Sequence, residues 1–330
     1  MTTLKRRWAL YPWTVFDRDL KGHMQRAASV ISLAAVFIFL LVATCRTPAL
    51  AGDPAWAPLV RRLADDGLDK SRVNALFADD SLKFSPEIMA RKMNALLKTK
   101  LAARKPGPPA EPQVMERYLN PILIAGAYAF YLEHNKVLAA IEKRYGVPGT
   151  VLTALLLVET KLGTQVGKHN AMTILASMAL ARDFELIRPL VARTDLSPEM
   201  AGWLVSRTEQ KGNWAYEELK ALIEYADKNG LDPLTMPSSM YGAIGLCQFI
   251  PSSAVSYGRD GNGDGRVDLF DMTDALHSMA YFVMRHGWKT GLDREAELKV
   301  IYRYNHSQSY ALTIMAVADR IGKAGEFFGN

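Results

Sequence analysis

The strongest constraint on this chain is the spacing of its apolar residues. From Pro54 onward they recur three and four positions apart, and stretches that alternate as strands do are few and short. That spacing gathers apolar side chains on one face of a helix, whereas a half-buried strand needs a period of two. The chain therefore reads as mainly α. Helices are expected over 55–67, 71–77, 86–102, 120–145, 148–161, 170–181, 184–193, 197–210, 214–229, 251–256, 271–286 and 308–321. With 49% apolar residues among 330, there is enough to bury a sizeable core, in one large domain or two smaller ones. "KPGPPAEP" (105–112) breaks the pattern and is expected to be a surface loop within one unit, with 53–115 forming a helical N-terminal lobe.

The net charge of +6 would suggest an acidic partner, but its location argues otherwise. Residues 1–51 hold seven Lys or Arg against two Asp, and between them "AASVISLAAVFIFLLVAT" (27–44) is uncharged. Ala49 and Ala51 then make a small-x-small site before Gly52, so 1–51 reads as an export signal cleaved after Ala51. An uncleaved membrane anchor and lipidation at Cys45 are the alternatives. Without this segment 33 basic residues face 32 acidic ones, which is no footprint for nucleic acid. Only Cys247 then remains, so no intrachain disulfide is expected.

Four segments carry polar groups in unusual settings. In "TVLTALLLVETKLG" (150–163) a single carboxylate, Glu159, follows a solid apolar block. A helix from Pro148 to about Lys161 would set Glu159 on the face of Leu155 and Leu156, where desolvation would raise its pKa and make it a proton donor near neutral pH. The plainer reading is a solvated glutamate at a frayed helix end. "PSSMYGAIGLCQFIPSSAVSYG" (237–258) sets Ser239 and Gln248 among glycines that allow close approach to a ligand, hydroxyl- and acetamide-rich sugars among them. A loop packed on itself is the alternative.

"DGNGDGRVDLFD" places Asp260, Asn262, Asp264, Arg266, Asp268 and Asp271 at positions 1, 3, 5, 7, 9 and 12 of an EF-hand-like calcium loop, with Gly265 at position 6. Asp271 stands where a bidentate Glu is usual, and Arg266 would bind through its carbonyl. A turn held by its own hydrogen bonds is the alternative. In "IYRYNHSQSYALTIMAVADRI" (301–321), Tyr304, Asn305 and Tyr310 suit sugar recognition, while Asn305 or Ser307 could instead cap a helix.

Together with "LNPILIAGAYAFYLEHNKVLAAIEKRYGVPG" (119–149) and "HGW" (286–288), these motifs, in order, resemble the lytic murein transglycosylases of the membrane-bound B type. The resemblance implies a lysozyme-like helical catalytic region over 116–330. It also implies cleavage of the β-1,4 bond between N-acetylmuramic acid and N-acetylglucosamine, leaving 1,6-anhydromuramic ends. Glu159 matches the family's catalytic acid; Ser239, Gln248, Tyr304, Asn305 and Tyr310 fall in its substrate-binding segments. No cofactor is implied for the chemistry, and a structural calcium or sodium ion is expected in the loop. Peptidoglycan strands are the expected partner in the periplasm, with proteins of cell-wall synthesis or division as further candidates. The chain departs from the family where an adjacent arginine pair is usual: here Arg182 and Arg188 are separated. A hydrolytic muramidase, a silent wall-binding protein and a calcium-regulated protein remain the competing readings.

Overall fold

The computed structural model describes residues 52–103, 111–193 and 195–328. The export segment and most of the 105–112 loop lie outside them. Residues from Gly52 to the C-terminus form one compact unit. Its twelve described α-helices are α1 (Ala57–Asp65), α2 (Lys70–Phe77), α3 (Pro86–Ala102), α4 (Pro121–Glu133), α5 (Asn135–Tyr145), α6 (Gly149–Thr160), α7 (Ala171–Leu180), α8 (Pro198–Asn229), α9 (Pro251–Tyr257), α10 (Met272–Arg285), α11 (Arg294–Asn305) and α12 (Gln308–Phe328). The sheet is minimal: β1 (His169–Asn170) pairs antiparallel with β2 (Pro237–Ser238). Among the described residues, no helix is long and apolar enough to cross a membrane.

Helix α6 is the centre of this unit. Its residues from Val151 to Leu157 are all buried, as expected for a helix apolar on every side. α12, α4, α5 and α10 pack around it. A second layer forms where α7, likewise apolar all round, is packed by α8, α3 and α1. In the N-terminal helices Trp56 anchors the packing: its indole N–H donates to the Leu82 carbonyl at 3.0 Å, and Phe77 and Phe84 meet its ring edge-on. Burying such side chains contributes about 1.5–3 kcal/mol each.

Four sequence expectations need correction. The helix expected over 120–145 is two, because His134 leaves the helical region (φ −98°, ψ 15°) and lets both α4 and α5 pack on α6. The expected 184–193 helix is two 3-10 turns, the first capped by Asp183 and the second carrying Pro189. The helices expected over 197–210 and 214–229 are one, α8. Gly212 does not break it; a Cβ there would stand 2.3 Å from Cβ of Arg182, so the glycine is a packing notch. Helix α11 was not expected at all, since its charged first turns mask the buried Val300 and Ile301.

Candidate active site

Helix α6 delivers Glu159 to the edge of its own apolar block and then stops abruptly. Lys161 (φ 49°) and Leu162 (φ 58°) adopt the left-handed conformation, Lys161 N–H bonds the Leu157 carbonyl and Leu162 N–H that of Leu156. The only other described non-glycine residue in this region is Gln248 (φ 51°). Left-handed backbone costs about 1–2 kcal/mol per residue and collects at functional sites. Here all three instances lie in Glu159's segment and the glycine-rich turn.

The Glu159 side chain keeps partial exposure, but burial of the carboxyl pushes its pKa up to about 7, opposed by a hydrogen bond from Tyr310. That bond, Tyr310 Oη to Glu159 Oε1, measures 2.5 Å. No cation pairs with the carboxylate among the described residues. Burial holds the Tyr310 and Tyr304 hydroxyls protonated, far above the usual tyrosine range. The two rings stack with centroids 6.4 Å apart, and Tyr304 donates to the Cys247 carbonyl at 2.7 Å.

The glycine-rich turn is tied to the acid from a second direction. Buried Thr160 donates its hydroxyl to the Leu246 carbonyl at 3.0 Å and accepts the Gly163 N–H at 3.1 Å. Gln248 Nε2 donates to the carbonyls of Gly245 (2.9 Å) and Val166 (3.3 Å), joining the turn to the loop after α6. Glycines permit these approaches. At Gly245 (φ 73°) a Cβ would fall 2.5 Å from Cβ of Leu269, and at Gly167 (φ 102°) 2.0 Å from the Ser238 carbonyl oxygen. Ser239 Oγ accepts the N–H groups of Ala243 (3.1 Å) and Tyr241 (3.3 Å), which leaves its proton to donate outward.

Glu159, Tyr304, Tyr310 and the turn bearing Gln248 and Ser239 are thus joined by hydrogen bonds and ring packing. Asn305 is not joined to them: it is exposed at the end of α11 and its side chain has no partner among the described residues. The cap is Ser307, whose Oγ accepts the Tyr310 N–H at 3.3 Å. Two members escaped the sequence reading. Thr160 adjoins the acid but gives no motif of its own, and the Cys247 main chain matters while its buried thiol, pushed up to about 12 by desolvation, stays inert.

The 260–271 loop differs from its expected role as a cation cage. Asp260 accepts Gly263 N–H (2.6 Å) and Gly265 N–H (2.9 Å); Asn262 accepts Asp264 N–H (3.0 Å); Asp264 accepts Arg266 N–H (2.9 Å). Asp268 accepts Phe270 N–H and Asp271 caps α10. Side-chain oxygens suited to a hard cation are present, but they are turned to loop N–H groups. No group of three or more His, Cys, Asp or Glu among the described residues could hold a metal. The loop's hub is a residue outside the spacing pattern: buried Asp274 accepts the N–H groups of Gly261, Asn262 and Asp268. Burial raises its pKa against those bonds.

A desolvated acid that accepts a hydrogen bond from a buried tyrosine, set beside a glycine-rich turn on a helical unit, has what a general-acid site needs. Residues 51–300 match the family described as "Transglycosylase SLT domain", and the chain belongs to that family. Membrane-bound lytic murein transglycosylase B of Escherichia coli (strain K12) is 26% identical over 176 residues, which cover 53% of this chain and 42% of that protein. The match therefore spans less than half the length of that relative. Soluble lytic transglycosylase SltB1 from Pseudomonas aeruginosa shares the fold with a TM-score of 0.60 at 23% identity, over 82% of this chain and 99% of that one. SltB3 from the same organism, solved with NAG-anhNAM-pentapeptide, gives 0.58 at 19% identity, over 81% of this chain and 78% of that one.

Proposed function

We propose that this protein is a peptidoglycan lytic transglycosylase, cleaving the β-1,4 MurNAc–GlcNAc bond and leaving 1,6-anhydromuramic ends during cell-wall remodelling. The observation that carries the reading is Glu159, a lone carboxyl whose pKa burial raises to about 7, so that a large share of it stays protonated near neutral pH. Tyr310 engages Oε1, so the acid proton resides on Oε2 and is donated to the glycosidic oxygen as the bond breaks. The substrate's own acetamide stabilises the oxocarbenium-like centre. Glu159, now ionised and held by Tyr310, takes the proton from the muramyl 6-hydroxyl, whose oxygen closes the anhydro ring. One carboxyl serves both steps, where a hydrolytic glycosidase uses two. Ser239, Gln248, Tyr304 and Asn305 bind the sugars, with Asn305 recruited from the exposed end of α11. The relative solved with an anhydromuramyl pentapeptide supports this reaction.

No cofactor enters this chemistry. For the 260–271 loop we propose a structural calcium ion, supported by the spacing of Asp260, Asn262, Asp264, Arg266, Asp268 and Asp271. Binding would exchange their bonds to loop N–H groups for bonds to the ion. We further propose 1–51 as the export signal or anchor that places the 53–115 lobe and the 116–330 catalytic region in the periplasm.

Product mass on purified peptidoglycan tests the reaction. Anhydro ends, one water lighter than hydrolytic ends, are expected from wild type, with loss of clearing but retained sacculus binding in Glu159→Gln. Hydrolytic ends would make the protein a muramidase, and undiminished clearing by Glu159→Gln would remove the acid from the mechanism.

A further inference from the structure

Three cations from two helices converge beside the glycine-rich turn. Lys92, in the middle of α3, holds its Nζ 3.7 Å from the ring centroid of Tyr241, whose N–H is bonded to Ser239. On α8, Trp203, Arg207, Lys211 and Trp214 recur at intervals of four, four and three and so share one face. That face looks toward α3, because Lys100 of α3 lies over the Trp203 ring at 4.8 Å.

The cluster has no acidic partner: Lys92 and Lys211 meet only the rings of Tyr241 and Trp214, at 3.7 and 5.2 Å from the centroids. Burial lowers the pKa of Lys92, and the charges of Lys211 and Arg207 lower it further; burial and then Arg207 do the same to Lys211. No acid offsets them, and none of the three forms an ion pair among the described residues. The second observation is independent of charge: Arg207 Nε is buried with no hydrogen-bond partner, the guanidinium meeting only Gln210 through Nη1. Buried donors are satisfied in nearly all folded proteins, and cations packed together without an acid cost stability. Both defects are repaired by one anion accepting from Arg207 and the two ammonium groups.

The geometry points to a carboxylate-binding subsite between α3 and α8, formed by Lys92, Arg207 and Lys211, that holds an acidic group of the peptide stem carried by the glycan strand. This assignment rests on the functional reading above, which brings the strand to the turn bearing Ser239. The sugars of the strand carry no free carboxylate once the muramyl lactyl group is in amide linkage, whereas the stem peptide does. Trp203 and Trp214 flank the cations along α8, partly exposed, each with a lysine ammonium over one ring face. The subsite would make the stem a determinant of which strands are cut.

Calorimetric titration of the full chain with a free stem tetrapeptide tests the subsite without turnover. Wild type should bind saturably, and Lys92→Gln/Lys211→Gln should bind about tenfold more weakly or worse, while Lys211→Arg retains binding. Equal binding by the double variant, or none by wild type, overturns the assignment. Lys211→Gln alone, at a partly exposed position, serves the same titration if the double variant melts early. Turnover supplies the second arm: wild type should cleave peptide-bearing strands about fivefold or more faster, in kcat/KM, than amidase-stripped strands, and the double variant's ratio should fall toward one. A wild-type ratio of one also overturns the subsite. Failure to cleave either strand would instead sink the transglycosylase reading, leaving the titration to decide the subsite.

Discussion

Tyr310 donates a hydrogen bond of 2.5 Å to Glu159, the one polar contact opposing the burial that raises the acid's pKa to about 7. The bond stabilises the ionised carboxylate more than the acid, so its removal should raise the pKa further. In Tyr310→Phe the alkaline limb of the pH–rate profile is expected to move up by about one unit. The maximal rate should fall about tenfold or more, because the carboxylate formed on proton donation loses its donor. A limb at the wild-type pH would mean that Tyr310 does not tune this acid.

The same burial costs stability. Below about pH 4.5 Glu159 is protonated in folded and unfolded chains alike and contributes nothing. Between about 4.5 and 7 the unfolded chain releases this proton while the folded one keeps it, so stability falls as pH rises and levels off above 7. The total is at most about 3 kcal/mol. Glu159→Gln, which cannot ionise, should therefore be more stable than wild type at pH 8, with the advantage vanishing near pH 4. Denaturant titrations of both proteins at the two pH values measure it. Equal stability at pH 8 would show that the carboxyl is solvated.

Thr160 should matter to both fold and rate. Its hydroxyl is the direct hydrogen bond from the end of α6 to the glycine-rich turn, through Leu246. Thr160→Val keeps the shape and strands the buried carbonyl, costing about 1–3 kcal/mol. Turnover by the fraction still folded should also drop, since the turn bearing Ser239 and Gln248 loses its register against Glu159. A stability loss with unchanged turnover would confine Thr160 to the fold.

Calcium should raise the melting temperature in a concentration-dependent way, and chelation should reverse it, because an ion bound only by the folded loop adds its binding free energy to stability. The gain should be modest, since the loop's oxygens first give up their bonds to Gly263, Gly265, Asp264 and Arg266. Asp274→Asn should destabilise the loop with or without calcium, since this buried carboxyl collects three loop N–H groups. Melting unaffected by calcium would leave the loop braced by Asp274 and by its own side-chain to N–H bonds.

The mainly α fold was legible because α6 and α7 are apolar all round and most other helices carry a clear apolar stripe. Glu159 was legible as a polar interruption of that apolar run. What escaped depended on partners distant in the chain. Nothing in "LEHNKV" marks the break at His134, which serves the packing of α4 and α5 on α6. The Lys92, Arg207 and Lys211 cluster joins residues more than a hundred positions apart, so no local pattern announces it. The oxygen-rich spacing of 260–271 was visible, but not what organises the loop, because Asp274, which collects three of its N–H groups, lies three positions past its end.

Gly212 tests how far local preference yields to packing. In the interior of α8, alanine should be favoured over glycine by about 1 kcal/mol of helix propensity. Its Cβ, however, would stand 2.3 Å from Cβ and 2.7 Å from Cα of Arg182. That contact involves backbone, so a rotamer change cannot relieve it, and overpacking of this kind costs about 1–3 kcal/mol or more. Packing outweighs propensity, and Gly212→Ala should lower stability by about 1–2 kcal/mol net. The shift would push Arg182 and the end of α7 away from α8. A Gly212→Ala protein more stable than wild type would mean that α8 and the segment after α7 are not held in this contact.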